Sequence, residues 1–276
     1  LRFWKEEMHI DGFRFDLAAI LSRDKNGHPL NDPPTLLAID SDYTLAETKI
    51  FAEAWDASGS YQVGRMAGAR WREWNGHFRD DVRSFIKGDR GMVSRLASRL
   101  TGSPDIYQAP YADPHKSLNF VTCHDGFTLW DLVSYNQKHN LANGEDNRDG
   151  SDANYSWNHG VEGPTEDPEL RALRLRQAKN LMAINLISVG TPMVLMGDER
   201  LRSQQGNNNA YCQDNAISWM NWDSSPERDE MFRFVRELLS YRALRGSGTS
   251  DLISLGDALE NARIVWHGVK PYAPDW

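Results

Sequence analysis

Two cysteines in 276 residues, Cys123 and Cys212, are too few and too far apart for a disulfide framework or a zinc cluster, so a reducing compartment is the default. Long apolar runs are also missing. The patches near 181–189 and 193–196 are broken by polar or Gly-Thr-Pro residues and fall short of the roughly 18 to 20 residues that span a bilayer. Nor is there a basic excess. Lys and Arg number 31 against 39 Asp and Glu, for a net charge of −8, with the arginines interspersed among acids, which argues against a nucleic-acid partner. No charged-then-apolar leader precedes the opening "LRFWKEEMHI", so the chain reads as a fragment whose targeting peptide, if it has one, lies upstream.

What is present is the material of a large core: 40% hydrophobic residues, 11% aromatic and ten tryptophans describe a globular chain of one large domain or two ordinary ones. In "HIDGFRFDLA" (9–18), period-two alternation sets Arg14 and Asp16 on the face opposite Phe13, Phe15 and Leu17. The pattern recurs. A strand at Lys49–Trp55 ends in charge at Glu53, "SLNFVTCHDG" ends at His124 and Asp125, and "TPMVLMGDE" ends at Asp198. Between these strands, helical spacing covers Thr35–Ile39, Phe78–Lys87, Gly91–Leu100, a long helix capped by Asp167-Pro168 and stopping at Gly190, and a last helix up to Gly246. A tryptophan-rich loop follows Trp55, and residues 139–168, almost without aliphatics, read as a long surface excursion. Strands alternating with helices imply an α/β fold with a parallel sheet or barrel. In such a barrel the catalytic groups come from the C-terminal ends of several strands, where these charges fall.

Carboxyl groups converging on one rim suit glycoside hydrolysis, which needs two of them about the scissile bond. Arg14 would hold Asp16 as an anion fit to attack, and the apolar neighbours of Glu53 (Phe51, Ala52, Ala54, Trp55) would favour a carboxyl that donates a proton. A structural ion pair is the plainer reading of Arg14 and Asp16 taken alone.

"DGFRFDLA", "FAEAWD" and "NFVTCHDG" resemble, in order, three of the four short motifs of the α-amylase superfamily of glycoside hydrolases. "WREWNGHFRDDVRSFIKGD", "YNQKHNLANGEDNRDGSDANYSWNHGVEG" and "QQGNNNAYCQDN" resemble its debranching branch, the isoamylase-type and glycogen-debranching enzymes. The resemblance implies the C-terminal part of a (β/α)₈ barrel over 1–246 (strands about 4 to 8, with the insertion at 139–168), followed by the start of a truncated C-terminal β-sandwich over 247–276. It implies a retaining hydrolase of α-1,6 branch points in glycogen or amylopectin-type α-glucan, without an organic cofactor, in cytoplasm or plastid. Asp16 is then the nucleophile, Glu53 the general acid/base and Asp125 the acid that orients sugar hydroxyls, with Arg14 and His124 contacting the nucleophile and the sugar.

The superfamily's first motif is missing, as are about three barrel strands. "MGDERLR" places Arg200 and Leu201 where an aromatic residue and a glycine usually stand, which leaves the packing of that loop open. Trp55, Trp71, Trp74, Tyr61, Trp157, Trp219 and Trp222 offer flat faces for glucose rings or anchors for loops, and Asn207, Asn208 and Asn209 offer amides for sugar hydroxyls or turns. Trp55 and Asn208 are the expected sugar contacts among them. Asp146, Asp149 and Asp152 lack the spacing of a calcium loop, so no metal is expected. Three rival readings stand beside debranching: cleavage of another α-glucosidic bond, a non-catalytic glucan-binding subunit, and an inactive fragment of low stability, whose uncovered strand edges would weaken it. Oligomeric state is not legible.

Overall fold

The structure is a computed structural model that describes residues 1–66, 68, 70–108, 113–247, 266–268 and 270–273. In chain order it contains α1 (Arg2–Glu6), β1 (Gly12–Phe15), α2 (Pro34–Asp40), β2 (Lys49–Ala52), β3 (Trp71–Trp74), α3 (Gly76–Lys87), α4 (Val93–Leu100), β4 (Ser117–Asn119), α5 (Leu129–Leu132), α6 (Pro168–Ile187), β5 (Thr191–Pro192) and α7 (Pro226–Ser247). Among the described residues all five strands are parallel, and each pairs with the next in sequence.

Alternation sorts the strand residues onto two faces. Phe13 and Phe15 pack with Leu36, Ile50, Ala52 and Trp71 on one side, the Phe15 ring centroid 4.9 Å from that of Trp71. Phe51, Trp74, Leu118, Phe120 and Met193 pack on the other. A separate cluster under α3, α5, α6 and α7 joins Phe78, Val82, Leu132, Met182 and Met231, each such side chain contributing about 1.5 to 3 kcal/mol by leaving water. Asp167 caps α6 as expected, its side chain accepting from Glu169 N at 2.9 Å and Leu170 N at 3.4 Å. Gly190 has φ of +119° and faces Asn119 so closely that a Cβ would lie 2.8 Å from the Asn119 amide nitrogen, so only glycine fits.

Four expectations need correction. The tryptophan-rich stretch contains β3, whose Trp71 is fully buried. Asn75 then passes strand directly to helix by accepting from Phe78 N at 2.9 Å. β4 pairs only over Ser117–Asn119, so His124 and Asp125 stand on a loop beyond it rather than at its tip. β5 shrinks to Thr191–Pro192, and its last bond to β4 runs from Met193 N to Asn119 O at 2.7 Å.

The fourth concerns the excursion at 139–168, which turns much of its polarity inward: Asn140, Asn154 and Ser156 are buried. Two buried arginines hold it. Arg83 of α3 donates to Val121 O at 2.7 Å and Asn154 O at 3.2 Å, while Arg174 of α6 donates to Gly163 O at 2.6 Å and Asn158 O at 2.8 Å. Of the segment expected to begin a β-sandwich, most lies outside the described residues; Lys270 and Ala273 form an antiparallel bridge. Among the described residues, no helix is long and apolar enough to cross a membrane.

Candidate active site

The register of the first two strands pairs Arg14 with Phe51, so two residues further along Asp16 comes beside Glu53, and Glu53 N donates to Phe15 O at 3.1 Å. The pairing of Ala52 with Glu73 brings Trp74 next in the same row. Alternation gives Arg14, Asp16, Phe51, Glu53 and Trp74 one face, away from Phe15, Ala52 and Glu73.

Arg14 sits at the centre of that row. Its Nη2 lies 3.0 Å from Asp16 Oδ1 and also touches Glu53 Oε1. Both oxygens thus meet one nitrogen, which draws the two carboxyls to a single cation. The Asp16 side chain is 69% exposed and that of Glu53 only 5%. Glu53 Oε2 accepts from Leu17 N at 3.1 Å. Thus Glu53 does not face the apolar surroundings its sequence neighbours suggest; it is buried against a cation and an N–H.

His124 and Asp125 reach this row through Trp74. The Arg14 guanidinium carbon lies 4.6 Å from the Trp74 ring centroid, and the His124 ring meets the same indole edge-on at 5.8 Å. His124 Nε2 stands 3.5 Å from Asp125 Oδ2, and the Asp125 side chain is 72% exposed. Cys123 Sγ donates to Asp125 O at 3.2 Å, and Gly126 N donates to Asn208 O at 2.9 Å, which together fix the His124–Asp125 loop. Sequence reasoning grouped Trp74 only with the other aromatics. The signal that places it, its register beside Glu53, exists only once β3 is recognised.

Trp55 is half-buried, stacked on Tyr61 with centroids 5.9 Å apart and planes 7° from parallel, so one of its faces is already covered. Asn208 does not offer its amide to a ligand. It is buried, its oxygen accepts from Asn140 Nδ2 at 2.9 Å, and its Nδ2 donates to Ser151 O at 2.7 Å and Asn154 Oδ1 at 2.8 Å. The expected sugar contact is instead a brace between two loops. The acids of the excursion have protein partners: Asp149 accepts from Asn143 and Asn209, Asp152 pairs with Lys138, and Asp146 with Arg148. Among the described residues, no three His, Cys, Asp or Glu side chains are grouped to hold a metal ion.

Three further carboxyls are fully enclosed. Burial pushes Glu73 up to about 7, against N–H groups of Gly64 and Met66. It pushes Asp131 up to about 6, although Ser203 Oγ and Gln204 N donate to it. Burial likewise pushes Asp198 up to about 7, where it accepts from Thr122 Oγ1 and Leu129 N. The unusual Arg200–Leu201 pair is accommodated on α7: Leu201 is buried, and the Arg200 guanidinium lies 3.5 Å from Asp229 and over the Phe232 ring.

No family model matches the chain. It is 51% identical over 247 residues to the glycogen operon protein GlgX homolog of Mycobacterium tuberculosis, covering 88% of this chain and 33% of that one. To isoamylase 3, chloroplastic, of Oryza sativa it is 48% identical over 269 residues, covering 97% and 34%. To the glycogen debranching enzyme of Serratia proteamaculans it is 49% identical over 244 residues, covering 88% and 36%. The chain thus spans about a third of the length of the curated relatives it matches. Among solved structures it resembles a pullulanase of an Anoxybacillus species complexed with maltotetraose, with TM-score 0.59 and 26% identity over 88% of this chain and 32% of that one.

Proposed function

Taking the chain as a relative of the GlgX and isoamylase proteins, we propose that it forms the catalytic part of a retaining α-glucan hydrolase that cleaves α-1,6 branch linkages. Residues 1–246 are read as the C-terminal part of a (β/α)₈ barrel, for which the unreversed strand order argues, and 247–276 as the start of a β-sandwich. The observation that carries the chemistry is the single Arg14 guanidinium between Asp16 and Glu53.

Asp16, the more accessible acid, attacks the anomeric carbon while Glu53 passes its proton to the leaving oxygen, so a glycosyl ester forms on Asp16 and the glycosidic bond breaks. Glu53, now a carboxylate, takes a proton from water, the water oxygen attacks the same carbon, and Asp16 departs as the free acid anion. Asp125 and His124 face the sugar hydroxyls across Trp74, and the open face of Trp55 stacks on a glucose ring. The substrate is a branched α-glucan of the glycogen or amylopectin type, in cytoplasm or plastid. No organic cofactor enters this chemistry.

A pullulan-cleaving activity is the second reading, favoured by the structural likeness to a pullulanase; chain-length analysis of products from glycogen and from pullulan separates the two. The full-length protein carrying Asp16→Asn is expected to release no new reducing ends from glycogen above background. Acid-quenched Glu53→Gln protein fed an activated α-glucosyl fluoride is expected to carry the sugar on the peptide containing Asp16. Activity retained by Asp16→Asn overturns the reading.

A further inference from the structure

We propose that the main-chain N–H of Leu17 is a positioning group that holds Glu53 Oε2 and, with Arg14 on Oε1, fixes the orientation of the carboxyl that serves the leaving group. The inference rests on the debranching reading of this site. In a parallel ladder where Glu53 N binds Phe15 O, the next bond runs from Leu17 N to Glu53 O. Here the ladder skips a residue. Ala18 N takes the Glu53 carbonyl at 2.9 Å, and Leu17 N turns to the Glu53 carboxylate at 3.1 Å.

The skip is made by Leu17 itself, whose φ of 43° and ψ of 44° lie in the left-handed region, at a cost of about 1 to 2 kcal/mol for a residue with a Cβ. Completely buried Ala18 and Ala19 hold the turn in place behind it. Strain adjoining the nucleophile is thereby exchanged for a hydrogen bond to a carboxylate, stronger than the neutral ladder bond it replaces.

A protonated carboxyl has one O–H, and its other oxygen must accept. In Glu53 both oxygens face donors, Oε2 the Leu17 N–H and Oε1 the Arg14 guanidinium, and deleting either donor disfavours the carboxylate form. The Arg14 Nη2 that meets Oε1 also meets Asp16. The charged groups facing Glu53 are therefore Arg14 and, through it, Asp16; Trp74 carries no charge and stands between them and His124 and Asp125, while Glu73 belongs to the opposite face.

The test replaces the 16–17 amide with an ester in the full-length protein, by incorporating the α-hydroxy analogue of leucine at 17, and makes the same change at 18 as a control. Each deletes one backbone donor to Glu53, the first from its carboxylate and the second from its carbonyl. The ester at 17 is expected to lower kcat/KM on glycogen about tenfold and to move the basic limb of the pH profile upward by about half a unit or more, because a lost donor disfavours the anion. The ester at 18 is expected to lower Tm comparably and leave that limb in place. If the ester at 17 does not fold, Leu17→Val, whose branched Cβ disfavours the left-handed region, is expected to move the limb upward and Leu17→Gly not to move it. A basic limb unmoved at 17, or moved equally by the change at 18, overturns the proposal. Wild-type activity in Glu53→Gln would instead overturn the functional reading beneath it.

Discussion

Two sets of carboxyls divide this molecule. Asp16 and Asp125 stand open to solvent, and Glu53 is enclosed but meets the Arg14 guanidinium. Glu73, Asp131 and Asp198 are enclosed on all sides and held chiefly by N–H and hydroxyl donors, and burial pushes them up to about 7, 6 and 7. The difference teaches what each set is for. Acids beside a cation on a reachable face can meet a substrate, whereas acids wrapped in backbone donors fix loops and give up easy ionisation to do so.

The sharpest way to break that division is to exchange losses. Asp16→Asn is expected to lower glycogen-debranching kcat by about a thousandfold or more with Tm nearly unchanged, whereas Glu73→Gln is expected to change Tm and leave kcat within about tenfold; equal losses of kcat in the two would erase the distinction. Trp74→Phe, which keeps an aromatic face but shortens the bridge from Arg14 to His124, is expected to cost about tenfold in kcat/KM and about 1 to 3 kcal/mol of stability, read by denaturant titration. Asn208→Ala removes one hydrogen bond each from the amides of Asn140 and Asn154 and is expected to lower stability by about 1 to 3 kcal/mol, with a smaller loss of kcat through the Gly126 contact.

The smallest effect is also the most diagnostic. Asp198 in the folded protein is pushed up to about 7 from a usual 3.8, so between about pH 4 and 7 the folded state binds more protons than the unfolded one. Its contribution is present at low pH and fades as pH rises through that window. Asp198→Asn cannot ionise, so Tm measured from pH 4 to pH 7 should fall more for the parent protein than for the variant.

How much of this was legible in the residues depends on length and on letters. β1 and β2 could be read because their alternation is clean and each runs into a charge. The row that Asp16 and Glu53 share follows from period two and a register. β3 was hidden because "WREW" has four residues and no aliphatic, and sits among loop-forming neighbours; its burial is supplied by packing from Phe15, which no local pattern encodes. β4 looked longer than it is because Phe120, Val121 and Cys123 are buried for packing rather than for pairing. Asn208 was mistaken for a sugar contact because an asparagine's use is fixed by its neighbours in space, here Asn140 and Asn154 from a segment more than fifty residues away. The bulge at Leu17 left no mark at all in composition, since leucine is a poor choice for that backbone.

The two buried arginines carry a consequence for anyone shuffling modules among such proteins. Arg83 and Arg174 act as fixed sockets on the helices, and their plugs in the excursion are main-chain carbonyls of Asn154, Asn158, Val161 and Gly163. A transplanted segment can therefore differ in many side chains, provided its chain path returns four oxygens to the same places and it keeps the Asn140 and Asn154 amides that meet Asn208. A donor whose path misses one socket strands a guanidinium in the interior, and the chimera should fail at assembly before any question of catalysis arises.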